Sequence, residues 1–87
     1  MEKITMFMMK TCPYCQKAMR FNEQLLSQHP EYKDIPFEMV DEREQNARAE
    51  QYDYYYVPTY YVGEKKLHEG AATLEQVAAV FKAAYGA

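Results

Sequence analysis

Residues 3–15 read Lys3-Ile4-Thr5-Met6-Phe7-Met8-Met9-Lys10-Thr11-Cys12-Pro13-Tyr14-Cys15, and the change of character along them decides the fold. Lys3 to Met9 is short, almost wholly apolar and without polar alternation, which suits a buried strand of a parallel sheet. The two cysteines follow at once. Pro13 stands where a first helical residue belongs, because its fixed φ fits that position and its missing N–H is not needed there. From Gln16 to Ser27, Ala18, Phe21 and Leu25, flanked by Met19 and Leu26, form a stripe of 3.6-residue period. The cysteines therefore lie at the carboxyl end of a strand, where open α/β sheets place their sites.

Working outward, Gln28 to Ile35 reads as a polar connection, the helix having stopped by Pro30. Pro36 to Val40 reads as a second strand, entered by a proline that cannot donate to a ladder. Asp41 is expected to cap a polar helix over Glu42 to about Tyr52, with Glu42 and Glu44 in the first turn, where the macrodipole favours acids. Tyr54 to Val62 is dense in aromatic and β-branched residues, hence strand, with Pro58 marking its start. Gly63-Glu64 makes a turn and Lys66 to Glu69 a short edge strand that ends at Gly70. Thr73-Leu74-Glu75-Gln76 has the capping-box pattern, and Leu74, Val77, Val80, Phe81 and Ala84 carry a terminal helix.

The element order is β-α-β-α-β-β-α. A right-handed crossover makes the first two strands parallel, and the last two are close enough for an antiparallel hairpin. The expected fold class is α/β: one four-stranded mixed sheet flanked by helices. Eighty-seven residues make one domain, residues 1–87. Ten Lys+Arg against thirteen Asp+Glu give a net charge of −3, without the basic stripe that nucleic acid or an anionic membrane surface requires. No apolar run approaches the ~20 residues needed to span a bilayer, and the apolar start is too short for a signal-peptide core. A soluble, cytoplasmic monomer is expected.

Two cysteines cannot frame a secreted disulfide scaffold. Zinc is disfavoured too: thirteen residues separate Cys15 from His29 and thirty-eight separate His29 from His68, whereas a zinc finger needs its histidines three to five apart. Redox chemistry remains. The thiolate is the attacking species. Cys12, at a helix N-cap, lies among unpaired N–H groups that favour negative charge, and Lys10 and Lys17 are expected to add positive potential nearby. Cys15, one turn inward, should be buried and its pKa raised. Cys12 is thus expected to form a mixed disulfide with substrate and Cys15 to resolve it.

With these residues in hand, the chain resembles a glutaredoxin of the thioredoxin superfamily, with the thioredoxin-like fold. Cys12-Pro13-Tyr14-Cys15 matches the dithiol glutaredoxin signature. Val57-Pro58 matches the family's Thr-Val-Pro, whose proline is cis, and Gly70-Ala71-Ala72-Thr73 stands where the family has Gly-Gly before its last helix. The resemblance implies thiol–disulfide exchange with glutathione as co-substrate and no tightly bound cofactor. It implies that the Val57 main chain beside Pro58 pairs with the cysteinyl part of glutathione. Thr73 and the N–H groups of the following turn would receive the γ-glutamyl carboxylate, Lys10 the glycyl carboxylate, and Pro13, Tyr14 and Gly70 would border the substrate. The sequence departs from the pattern in four places. Met9 stands three positions ahead of the first cysteine, where the family has a basic residue. Tyr56 replaces Thr, Ala71 replaces the second glycine, and Leu74 replaces a common acid. These departures bear on glutathione specificity rather than on exchange. Two alternatives stay open: a thioredoxin-like reductant recycled by a flavoprotein thioredoxin reductase, and a module holding an iron–sulfur cluster between two chains with glutathione.

Six of the nine tyrosines fall between Tyr52 and Tyr61. Tyr60 and Tyr61 are expected to pack in the sheet, and Tyr54 to Tyr56 either to pack or to form a docking rim for disulfide-containing proteins. Met39 and the Met6–Met9 run are expected as core filler. His29 and His68 are expected at the surface, and Arg43 and Arg48 on a polar helix.

Overall fold

In the computed structural model, which describes residues 1–87 throughout, β1 (Ile4–Met8) is buried at every position. The sheet order explains it. With β2 (Phe37–Asp41), β3 (Thr59–Val62) and β4 (Lys65–Glu69), the strands run β2-β1-β3-β4, so β1 has a neighbour on each side. It pairs in parallel with β2, from Ile4 opposite Phe37 to Met8 opposite Asp41, and antiparallel with β3, from Ile4 opposite Val62 to Phe7 opposite Thr59. β3 and β4 form the expected hairpin, with a register shift between Tyr60 and Tyr61.

Alternation along the strands builds two unequal cores. On one face Ile4, Met6, Met8, Tyr60 and Val62 gather with residues of α1 (Pro13–Gln28) and α3 (Leu74–Gly86), among them Ala18, Leu25, Val77, Val80, Phe81 and Ala84. Each large side chain fully buried there contributes ~1.5–3 kcal/mol of transfer free energy. The expected polar connection contains a 3-10 turn, Pro30–Asp34, whose Tyr32 packs on Phe81 and Tyr85 at 5.7 and 5.5 Å between ring centroids.

The other face corrects the expected second helix. α2 is a single turn, Asn46–Ala49, not a helix over Glu42 to Tyr52. Asp41 ends β2, and its carboxylate accepts the N–H groups of Arg43 at 2.9 Å and Glu44 at 3.4 Å. The acidic segment is thus used as a turn. Apart from Ala49, the segment has too few apolar residues to cover the sheet, and aromatic rings do so instead. Phe7 lies 4.6 Å from Tyr52, 4.8 Å from Tyr54 and 5.9 Å from Tyr61, ring centroid to centroid. Arg48 caps this layer, over Tyr52 at 4.9 Å and paired with Glu38 at 3.1 Å.

Other expectations for the strands move as well. The strand expected over Tyr54 to Val62 begins only at Thr59, because the N–H groups of Tyr55 and Tyr56 bond the Glu69 carboxylate instead of a neighbouring strand. The second strand runs Phe37–Asp41 rather than Pro36 to Val40. Met39, expected in the core, is 40% exposed because β2 is a sheet edge. No helix is long and apolar enough to cross a membrane.

Candidate functional site

The end of β1 delivers the chain into a tight turn, where the Cys12 N–H donates to the Met9 carbonyl at 3.1 Å. Cys12 is extended (φ −84°, ψ 120°) as the N-cap of α1, and Pro13 opens the helix as expected. Two contacts hold the turn from outside. Gln16 Nε2 donates to the Lys10 carbonyl at 2.8 Å, and the Lys10 N–H donates to Asp41 Oδ2 at 3.3 Å.

The two cysteines are free thiols in unlike surroundings: Cys12 is partly exposed and Cys15 wholly buried. Partial burial pushes the Cys12 thiol up, but the N–H of Cys15, the Cys15 thiol and the N–H of Tyr14 favour the thiolate, and the net effect lowers its pKa. The sulfur closes no capping hydrogen bond, so the main-chain contribution is the field of nearby donors rather than one formed bond. Burial lifts Cys15 to about 12; the Met9 N–H, 3.5 Å from its sulfur, opposes this, and Cys12 and the Glu42 charge add to it.

The lysines expected to assist Cys12 have other partners. Lys10 Nζ pairs with Glu44 at 2.7 Å, and Lys17 Nζ lies over the Phe21 ring at 5.8 Å. The charge that does act on both sulfurs is Glu42, which raises both pKa values and accepts the Tyr54 hydroxyl at 2.7 Å. Sequence reasoning placed Glu42 in a helix. Its N–H instead extends the β1–β2 pairing by donating to the Met8 carbonyl at 2.9 Å, a position that parallel register could have flagged.

The Val57–Pro58 peptide is cis. Val57 and Cys12 both pack on the core cluster that contains Cys15, so the fold brings these two sequence motifs together. No group of the chain bonds the Val57 N–H or C=O, whereas the Pro58 carbonyl accepts the Gly70 N–H at 2.8 Å. Gly70 has φ +92°, a conformation that a side chain disfavours. The His68 ring nitrogen Nε2 lies 3.0 and 3.1 Å from the carbonyls of Gly70 and Ala71, to which the Nε2–H tautomer donates. Thr73 forms the full capping box: its hydroxyl accepts the Gln76 N–H at 3.1 Å, and its own N–H donates to Gln76 Oε1 at 3.0 Å. Tyr14, Tyr55 and Tyr56 are exposed, and an open groove of about 620 Å³ is lined by Met9, Glu42, Arg43, Tyr52, Tyr54 and Tyr55. Exposed His29 lies away from this edge, its ring tilted against that of Tyr32 with centroids 4.9 Å apart, and no cluster of three or more His, Cys, Asp or Glu side chains is placed to hold a metal ion.

Residues 2–82 match the family model described as Thioredoxin domain. The chain belongs to the thioredoxin domain family. Solved structures agree on the fold of this thioredoxin domain. A structure titled as that of a malarial protein is 18% identical, with TM-score 0.70 over 93% of each chain. The oxidised thioredoxin of Plasmodium falciparum is 19% identical, with TM-score 0.71 over 93% of this chain and 78% of that one. Oxidised thioredoxin O2 from Arabidopsis thaliana is 20% identical, with TM-score 0.64 over 95% and 74%. No curated protein matches the sequence. The α/β thioredoxin-like fold is thereby established, with two neighbouring cysteines just past the carboxyl end of its central strand β1.

Proposed function

We propose that this thioredoxin domain is a dithiol oxidoreductase that reduces protein disulfides or glutathione mixed disulfides and is recycled by glutathione. The observation that carries the reading is the asymmetry of the pair: an accessible, acidified Cys12 against a buried Cys15 lifted to about 12. Cys12 thiolate attacks one sulfur of the substrate disulfide; that S–S bond breaks, a mixed disulfide forms, and the departing thiolate takes a proton from water. Cys15 then loses its proton and attacks the Cys12 sulfur, which releases the second substrate thiol. The substrate gains two electrons, and the enzyme is left with a Cys12–Cys15 disulfide. Two glutathione molecules return those electrons and become oxidised glutathione.

The free N–H and C=O of Val57 support pairing with a cysteinyl main chain. A γ-glutamyl carboxylate would use the N–H groups of Leu74 and Glu75, since that of Thr73 serves its own capping box. Lys10 would leave Glu44 to meet a glycyl carboxylate, and Pro13, Tyr14 and Gly70 would border the bound tripeptide. The committed Thr73 N–H, together with Ala71 in place of a glycine, favours one second reading: a flavoprotein thioredoxin reductase as electron donor. In either case the domain acts as a cytoplasmic monomer on disulfide-containing proteins, without a tightly bound cofactor.

NADPH oxidation with a glutathione mixed disulfide distinguishes the two, with glutathione and glutathione reductase in one cuvette and thioredoxin reductase in the other. Turnover in the first alone is expected. Turnover in the second alone transfers the domain to the other donor, and turnover in neither overturns the exchange reading.

A further inference from the structure

Glu69 closes β4, and its carboxylate reaches across to the loop ahead of Pro58. Oxygen Oε2 accepts two successive main-chain N–H groups, Tyr55 at 2.5 Å and Tyr56 at 3.0 Å, while Oε1 takes Lys66 Nζ at 2.7 Å. Two consecutive amides converging on one anionic oxygen form a charge-assisted clamp. The Lys66 ammonium and these amides hold Glu69 down at about 2, so it is ionised across the working pH range.

The clamp sits at one end of a short segment whose other end is tied to the same stretch of chain. Glu69 holds the main chain just before Val57, and the Gly70 N–H holds the Pro58 carbonyl just after it, at 2.8 Å. Between these anchors lies Val57, with its N–H and C=O unpartnered. The Tyr56 carbonyl is closed off by the Thr59 hydroxyl at 2.5 Å, so Val57 is where the segment can accept an added strand.

We infer that Glu69 is a positioning residue: through the Tyr55 and Tyr56 N–H groups it orients the Val57 main chain to pair with the extended backbone of a peptide disulfide beside Cys12. This rests on the exchange reading above and adds to it the residue that sets the Val57 main chain for disulfides with peptide backbone next to the reacting sulfur. A disulfide without peptide groups reacts at Cys12 without using the Val57 main chain.

The test compares wild type, Glu69→Ala, Glu69→Gln and Glu69→Asp on insulin and on dithiobis-nitrobenzoate, an aromatic disulfide with no peptide bond. Glu69→Ala is expected to raise KM for insulin about tenfold with kcat nearly unchanged, the loss of a charge-assisted pair of bonds. The dithiobis-nitrobenzoate rate and the pH midpoint of Cys12 alkylation are expected to stay at wild-type values. Glu69→Gln keeps an oxygen for both amides and should restore most of the insulin KM. Glu69→Asp, which withdraws the acceptor by one methylene and keeps the charge, should raise KM again, and it serves if the alanine variant does not fold. An unchanged insulin KM in Glu69→Asp or Glu69→Ala, an equal loss on both substrates, or no rescue by Gln overturns the inference. Wild type active on dithiobis-nitrobenzoate but not on insulin overturns this inference alone; wild type inert to both overturns the exchange reading and this inference with it.

Discussion

The hydroxyl of Tyr60 donates to Asn22 Oδ1 at 2.7 Å, tying β3 to α1, the helix that carries both cysteines. Both side chains are buried, and Asn22 Nδ2 is directed at Met6 Sδ at 3.2 Å, so the pair is a satisfied polar link inside the larger core. Burial first, opposed by Asn22, raises the Tyr60 pKa, so the hydroxyl stays a donor at any working pH.

Tyr60→Phe leaves Asn22 Oδ1 without its partner and is expected to destabilise the fold by about 1–3 kcal/mol. Urea unfolding reads this as a lower midpoint at constant m. Adding Asn22→Leu should recover part of the loss, because no buried acceptor is then left unpaired. An unmoved midpoint in the single variant would show that the link contributes nothing.

Phe7 is fully buried and touches Tyr52, Tyr54 and Tyr61, so it anchors the layer that stands in for a second full helix. Phe7→Ala should cost about 3–5 kcal/mol through lost transfer energy and an unfilled cavity. Near-ultraviolet circular dichroism should lose tyrosine signal together with stability. Stability retained within experimental error would mean that the tyrosines pack without it.

At neutral pH iodoacetamide should label Cys12 and spare Cys15, since only Cys12 combines access with a lowered pKa. The Cys12 alkylation rate should rise with pH about a midpoint below the ordinary cysteine value of 9.0. Because Glu42 raises both thiols, Glu42→Gln should move that midpoint lower still. Peptide mapping over a pH series checks both points, and an upward shift in Glu42→Gln would contradict the electrostatic account.

Glu69 is held at about 2 by Lys66 and the Tyr55 and Tyr56 amides, below its ordinary value of 4.5. Burial acts to raise Asp41, but the N–H groups of Arg43, Lys10 and Glu44 outweigh it and keep it low as well. A carboxyl depressed in the folded state stabilises fully above its unfolded pKa and loses that contribution as pH falls through the folded value. The urea midpoint should therefore decline as pH falls from about 4.5 toward 2. Glu69→Gln and Asp41→Asn should each flatten the decline, and identical slopes in all three proteins would exclude both carboxylates as its source.

Much of the site is legible in local patterns. Pro13 opens α1 one residue after Cys12, Thr73 and Gln76 close their capping box, and the apolar run Ile4–Met8 is central in the sheet. These features depend on residues at most a few positions apart, where helix geometry and strand burial act directly on sequence. The Val57–Pro58 and Cys12–Cys15 motifs were visible too, though not the contacts that hold them.

What the chain alone determined is the order of elements, the parallel start and hairpin finish of the sheet, and the unequal exposure of Cys12 and Cys15, all consequences of hydrophobic period and helix-terminal chemistry. Tertiary structure decided the rest. Tyr55 and Tyr56 leave the strand pattern because a carboxylate thirteen to fourteen residues away takes their N–H groups. Lys10 turns to Glu44, thirty-four residues on, and its N–H to Asp41, thirty-one residues on. A propensity weighs each residue against its neighbours, whereas a charged acceptor from another strand outweighs that preference once the sheet has brought it within hydrogen-bond reach.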